Sequence, residues 1–194
     1  MRRSVAGLLL LAVLVLICAS PAYAVTTNPG DRAPELAGWD IVGQRSVSID
    51  DFRGQWVLVE FSAAWCRPCM KQLPDFLAAV QPYRASGQLT VIMVSLDTPE
   101  TLPDMRRVIK DHAIDFPVLY DGGKYQSVPY LEWNVYGAPS TYLVDSQGVI
   151  AAAGCAASRW RRCWRITLTS RARWWRCAPA RRAIPTGQSQ SSPK

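Results

Sequence analysis

Apolar positions along the chain fall into two kinds of run. Trp56-Val57-Leu58-Val59-Glu60-Phe61 and Leu89-Thr90-Val91-Ile92-Met93-Val94-Ser95-Leu96 are nearly continuous apolar stretches rich in β-branched and aromatic residues, the make-up of strands buried on both faces. Between and after them the period lengthens. From Met70 to about Arg84, Leu73, Phe76, Leu77 and Val80 recur at helical spacing. From Glu100 to His112, Leu102, Met105, Val108 and Ile109 share a face opposite Arg106, Arg107 and Lys110, which predicts an amphipathic helix with His112 as a favourable charge at its end. Upstream, Val47 and Ile49 alternate after a Gly43-Gln44 turn, predicting a small hairpin cap, with a short helical turn at Ile49 to Phe52. Downstream, Phe116 to Tyr120 is strand-like and Tyr125 to Trp133 partly helical. Ser140 to Asp145 and Gly148 to Ala151 form a strand pair joined by Ser146-Gln147. Strands alternating with helices and closing on a hairpin predict an α/β domain over residues 25–154, a mixed sheet with helices on both faces. No internal repeat is present.

The junction between the first apolar run and the first helix carries the chemistry. Trp65-Cys66-Arg67-Pro68-Cys69 places two cysteines where a strand turns into a helix. Unpaired backbone N–H groups and the positive end of the helix dipole stabilise a thiolate there, with the Arg67 charge beside it. That lowers a free-cysteine pKa of about 8.5 towards neutrality or below. Cys66, expected to be the more exposed, is the candidate nucleophile, and Cys69, one turn in, the resolving thiol. The same spacing forms half of many zinc sites. The other half is missing: before Cys155 the only further cysteine is Cys18, and His112 is the only histidine of the chain. No metal and no cofactor are expected.

Charge and cysteine placement add the two ends. Met1-Arg2-Arg3, the apolar stretch Val5 to Ala19 and Pro21-Ala22-Tyr23-Ala24 read as a secretory signal over residues 1–24. The apolar core is shorter than the roughly 20 residues that a membrane span needs, and Ser20 and Pro21 interrupt it. An uncleaved anchor and a lipidated Cys18 are the alternatives, the latter disfavoured by the bulky Ile17. Export to the periplasm or the outer face of the membrane puts the cysteine pair where a disulfide persists. At the other end, residues 155–194 hold 10 Lys and Arg and no acid, whereas residues 25–154 hold 10 against 15 Asp and Glu. The net +7 of the chain therefore belongs to its ends.

The residues Gly30-Asp31-Arg32-Ala33-Pro34, Phe52-Arg53-Gly54, Val57 to Phe61, Trp65 to Cys69 and Gly137-Ala138-Pro139-Ser140-Thr141-Tyr142-Leu143-Val144-Asp145 together resemble the thioredoxin superfamily. Within it they are similar to the exported TlpA/ResA-like thiol:disulfide oxidoreductases, related to the AhpC/TSA redoxins. The resemblance covers about Pro29 to Gly154. It implies a three-layer thioredoxin-like fold with the cysteine pair at the start of the first main helix, an internal Cys66–Cys69 disulfide, and a cis-proline loop at Pro139. Ala138 and Pro139 would form the edge against which a substrate segment pairs, with Trp65, Arg67 and Pro68 as further contacts; packing alone is the other role open to Trp65. Glu60 falls where thioredoxins carry a buried acid. Burial would raise its pKa and suit it to take a proton from Cys69; the alternative leaves it partly solvated at a sheet edge.

The last forty residues depart from the family, which would end in a helix covering one sheet face. Cys155-Ala156-Ala157-Ser158-Arg159-Trp160-Arg161-Arg162-Cys163-Trp164 and Arg173-Trp174-Trp175-Arg176-Cys177 stand there instead. Three readings compete: a basic tail touching anionic lipid or nucleic acid, a redox tail using Cys155, Cys163 or Cys177, and out-of-frame translation of GC-rich codons. The last is favoured, and no nucleic-acid partner is expected. The leading function is thus an exported thiol:disulfide oxidoreductase. Two alternatives stand beside it: a thiol peroxidase, disfavoured because no cysteine stands in a Pro-x-x-x-Thr-x-x-Cys setting, and a non-enzymatic binding protein acting through its tail. The implied partners are disulfide-bearing protein substrates and a membrane thiol electron donor, the protein itself being a monomer.

Overall fold

The structure of the protein is a computed structural model that describes residues 27–120, 122 and 131–153. The leader with Cys18, most of the segment from Tyr125 to Trp133, the basic tail and the expected lack of a C-terminal helix lie outside the described residues.

Seven strands form one sheet: β1 (Ala37–Asp40), β2 (Arg45–Ser48), β3 (Trp56–Ser62), β4 (Leu89–Ser95), β5 (Val118–Tyr120), β6 (Ser140–Val144) and β7 (Ile150–Ala153). Their order is β2-β1-β5-β4-β3-β6-β7. The apolar runs become the central strands. β3 pairs in parallel with β4 from Trp56↔Leu89 to Ser62↔Ser95, and antiparallel with β6 from Val57↔Val144 to Phe61↔Ser140. β4 pairs in parallel with β5, and β6 with β7 as the expected hairpin. The N-terminal hairpin is more than a cap: β1 pairs with β5 through Trp39↔Tyr120 and extends the sheet. A 3-10 turn at Ile49–Phe52 follows, closed by a reciprocal cap between Ser48 and Asp51.

The helices are α1 (Arg67–Ala85) and α2 (Leu102–Asp111). Alternation along β3 divides the core. Leu58 faces a cluster with Leu73, Phe76 and Val80 of α1 and Met105 of α2. Val57, Val59 and Phe61 face the other, with Trp133, Tyr142, Ile49 and both Cys66 and Cys69. Two parallel crossovers that step through the sheet in one direction place both helices on one face. On the opposite face lie the 3-10 turn and Trp133, which follows helical residues 131–132. Pro74 and Pro82 lie inside α1 and are themselves exposed; each removes one N–H from the helix ladder.

Asp40 shows how a buried carboxylate fixes the frame. It accepts Val42 N and Val118 N on Oδ1 and Gly43 N on Oδ2, at 2.9 to 3.0 Å. One side chain thereby shapes the β1–β2 turn and joins it to β5. Gly43 is required there, since a Cβ would stand 2.5 Å from Asp40 Oδ2. Asp40→Ala strands three N–H groups and is expected to lower stability by about 2 to 3 kcal/mol in urea unfolding, with Asp40→Asn losing less.

Candidate active site

β3 carries the chain to the site and α1 receives it. Ser62 O accepts Leu96 N at 2.8 Å as β3 ends, and Cys66 N donates to Ala63 O at 3.1 Å, closing a turn with Ala64 and Trp65 at its corners. Cys66 is the N-cap of α1. Its Sγ accepts the backbone N–H of Cys69 at 3.3 Å, so the sulfur occupies the position that a capping oxygen usually takes. Pro68 stands in the first turn, where a missing N–H leaves no helical bond unmade.

Cys66 and Cys69 are joined in a disulfide with their Cα atoms 5.2 Å apart. The expected difference in exposure between them is nearly absent: Cys66 is 4% exposed and Cys69 3%. Both sulfur-bearing residues pack into the apolar cluster around Phe61 and Trp133, which buries the first cysteine more than a helix end in isolation would. The exposed rim is formed by their neighbours, Trp65, Arg67 and Pro68.

Glu60 lies in mid-β3, between Met93 of β4 and Thr141 of β6. This is a central strand, and Glu60 is buried, so the partly solvated alternative is set aside. Alternation places it with Leu58 on the face that α1 covers. The Thr141 hydroxyl donates to its Oε2 in a short hydrogen bond. Burial pushes the Glu60 carboxyl up to about 8, and the Thr141 bond draws it back only in part.

The Ala138–Pro139 peptide is cis, in agreement with the resemblance. It leads directly into β6, whose pairing of Ser140 with Phe61 brings the proline loop beside the end of β3 that runs on to Cys66. Ala138 packs against the cluster holding both cysteines. The structure thus brings Cys66, Cys69, Ala138 and Pro139 to one end of the sheet, with Glu60 two residues before the end of β3 on the alternation of Leu58. Thr141 was not legible as a site residue. Beyond its place in the Gly137 to Asp145 stretch that carries the resemblance, its sequence signal is the alternation that puts it on the same face as Leu143.

The AhpC/TSA family model matches residues 29–153. The chain belongs to the AhpC/TSA family. Among relatives, the thioredoxin-like protein YneN of Bacillus subtilis (strain 168) is 30% identical over 127 residues, covering 65% of this chain and 71% of YneN. The thiol-disulfide oxidoreductase ResA of Bacillus thuringiensis subsp. konkukian is 29% identical over 121 residues, 62% of this chain and 66% of ResA. The solved thioredoxin domain of a thiol-disulfide oxidoreductase from Bacteroides vulgatus superposes with a TM-score of 0.63 at 25% identity, covering 72% of this chain and 97% of that domain. A thiol:disulfide interchange protein from Bacteroides sp. gives 0.61 at 25% identity, covering 73% and 92%. This AhpC/TSA protein is therefore a thioredoxin-like oxidoreductase of the ResA-like type, as the resemblance implied. Among the described residues no helix is long and apolar enough to cross a membrane.

Proposed function

We propose that this protein is an exported thiol:disulfide oxidoreductase that reduces disulfides of protein substrates, including those formed during cytochrome c maturation. The observation that carries the reading is the Cys66–Cys69 pair at the N-terminus of α1, with Cys66 Sγ on the Cys69 N–H and the cis Ala138–Pro139 loop beside the strand that delivers it. Reduced Cys66 attacks one sulfur of a substrate disulfide as thiolate, forming a mixed disulfide and releasing the first substrate thiolate. Cys69 then loses its proton to Glu60 and attacks Cys66 Sγ, releasing the second. Two electrons pass from the cysteine pair to the substrate, and the protein is left as the disulfide with Glu60 protonated. A carboxyl pushed up to about 8 in the disulfide form is suited to hold that proton at neutral pH. Trp65, Arg67, Pro68 and Ala138 contact the substrate segment, and a thiol donor at the membrane restores the dithiol.

The leader over residues 1–24 delivers the domain of residues 25–154 outside the cytoplasm, where it acts as a monomer. Residues 155–194 take no part in the reaction. The redox equilibrium of the full chain in dithiothreitol and glutathione buffers tests this reading. A potential near the −270 mV of thioredoxin is expected; a value near −120 mV would make the protein an oxidant, and a pair that does not cycle would refute the reading.

A further inference from the structure

We propose that Asp97 is a positioning residue that holds the Ala64–Trp65 turn in the geometry Cys66 needs to react; the inference rests on the oxidoreductase reading above. Asp97 follows β4, is fully buried, and has no part in the exchange steps. Ala64 N donates to both its carboxylate oxygens, at 3.2 and 3.1 Å. The carboxylate is itself held: Ser95 Oγ donates to Oδ2 at 2.9 Å and accepts Asp97 N–H at 3.3 Å.

The placement matters because of what ends there. Leu96 N to Ser62 O, at 2.8 Å, is the last backbone rung between β3 and β4. Continued pairing would carry Ala64 N to a backbone carbonyl of the β4 side and keep the chain extended. The Asp97 carboxylate takes that N–H instead, and the chain turns. Two residues on, Cys66 N bonds Ala63 O and Cys66 Sγ meets the Cys69 N–H. From a fully buried anchor to the reacting sulfur there are thus only the corner residues Ala64 and Trp65. A buried carboxylate engaged by three donated bonds is costly to place unless its bonds are kept, so the anchor is stiff. Without it the turn relaxes and the sulfur drifts from the N–H that stabilises its thiolate.

The test uses the full chain, reduced, with iodoacetamide as the probe and Cys66 modification followed by mass spectrometry at pH 7. Asp97→Ala is expected to slow Cys66 alkylation by about tenfold, a misplacement effect. Asp97→Asn keeps an acceptor for Ala64 N and is expected to remain within about twofold of wild type. Ser95→Ala, which loosens the carboxylate without removing it, should slow alkylation in the same direction by less. It decides the matter if Asp97→Ala does not fold. Unchanged rates in folded variants, even with lowered melting temperatures, would overturn the proposal, as would equal rates for Asp97→Asn and Asp97→Ala, which would indicate charge and not position. A wild-type protein that reduces no disulfide would refute the oxidoreductase reading, while the alkylation rates would still decide the role of Asp97.

Discussion

Cys69→Ser protein, reduced and mixed with a disulfide-bearing protein, is expected to accumulate a mixed disulfide through Cys66, while Cys66→Ser protein forms none. Turnover falls in both by at least about 10³-fold, since each thiol is needed once per cycle. The two variants separate because the backbone, not the second side chain, stabilises the attacking sulfur. The Cys69 N–H donates to Cys66 Sγ. That N–H survives replacement of the side chain, so Cys66 in Cys69→Ser keeps its helix-end position and its first step. What is lost is the thiol that attacks Cys66 Sγ and expels the product. In Cys66→Ser, the remaining Cys69 is buried one turn into α1, where no N-cap position lowers its pKa. Adducts are read on non-reducing gels and by mass spectrometry. If neither variant formed an adduct, the disulfide would be a static clip and the binding-protein alternative would gain. A clip closing so short a loop would contribute only a little stability.

The frame of this site was legible where local signals and burial agree. Val57 to Phe61 is apolar on both alternations except at Glu60, because β3 is central and both its faces are covered. The helix after it announced itself by Leu73, Phe76 and Val80, all buried. The apolar spacing begins at Met70, while the helix itself starts at Arg67 behind the Cys66 cap, in line with the placement of the first cysteine at the helix end. Phe116 and Pro117 precede β5: Pro117 offers a carbonyl to Met93 N, but has no N–H for a ladder. Long-range consequences were not legible. Asp40 and Asp97 both stand in turn-like sequence, where a side chain bonding its near neighbours is expected. That Asp40 also reaches Val118 and Asp97 reaches Ala64 depends on strands brought together from 78 and 33 residues away. The near-equal burial of Cys66 and Cys69 escaped for the same reason: Trp133, which shares their cluster, comes from the far side of the sequence.

Glu60→Gln is expected to change both how stability depends on pH and how fast the mixed disulfide resolves. In the folded disulfide form Glu60 keeps its proton up to about pH 8, whereas an exposed glutamate in the unfolded chain releases it near 4.5. Between those values the folded protein binds one more proton than the unfolded chain, so raising the pH favours unfolding. Below about 4.5 both states are protonated and the group contributes no slope; above about 8 both are ionised and the penalty of a buried carboxylate is fully present. At 1.36 kcal/mol per pH unit, the interval corresponds to a loss on the order of 5 kcal/mol. Gln is neutral throughout and its amide oxygen can still accept from Thr141. Urea unfolding of the oxidised proteins should therefore show wild type losing stability relative to Glu60→Gln as pH rises from 5 to 8.5, with the two close together at the acid end. Kinetics then separate burial from chemistry. An acceptor of the Cys69 proton contributes about 10²-fold, so the mixed disulfide should live about that much longer in Glu60→Gln at pH 7. A stability difference with an unchanged lifetime would leave Glu60 a buried acid near the site and assign the proton to water. Both effects together would mean that the burial which destabilises the carboxylate is also what readies it to receive the proton as the disulfide closes.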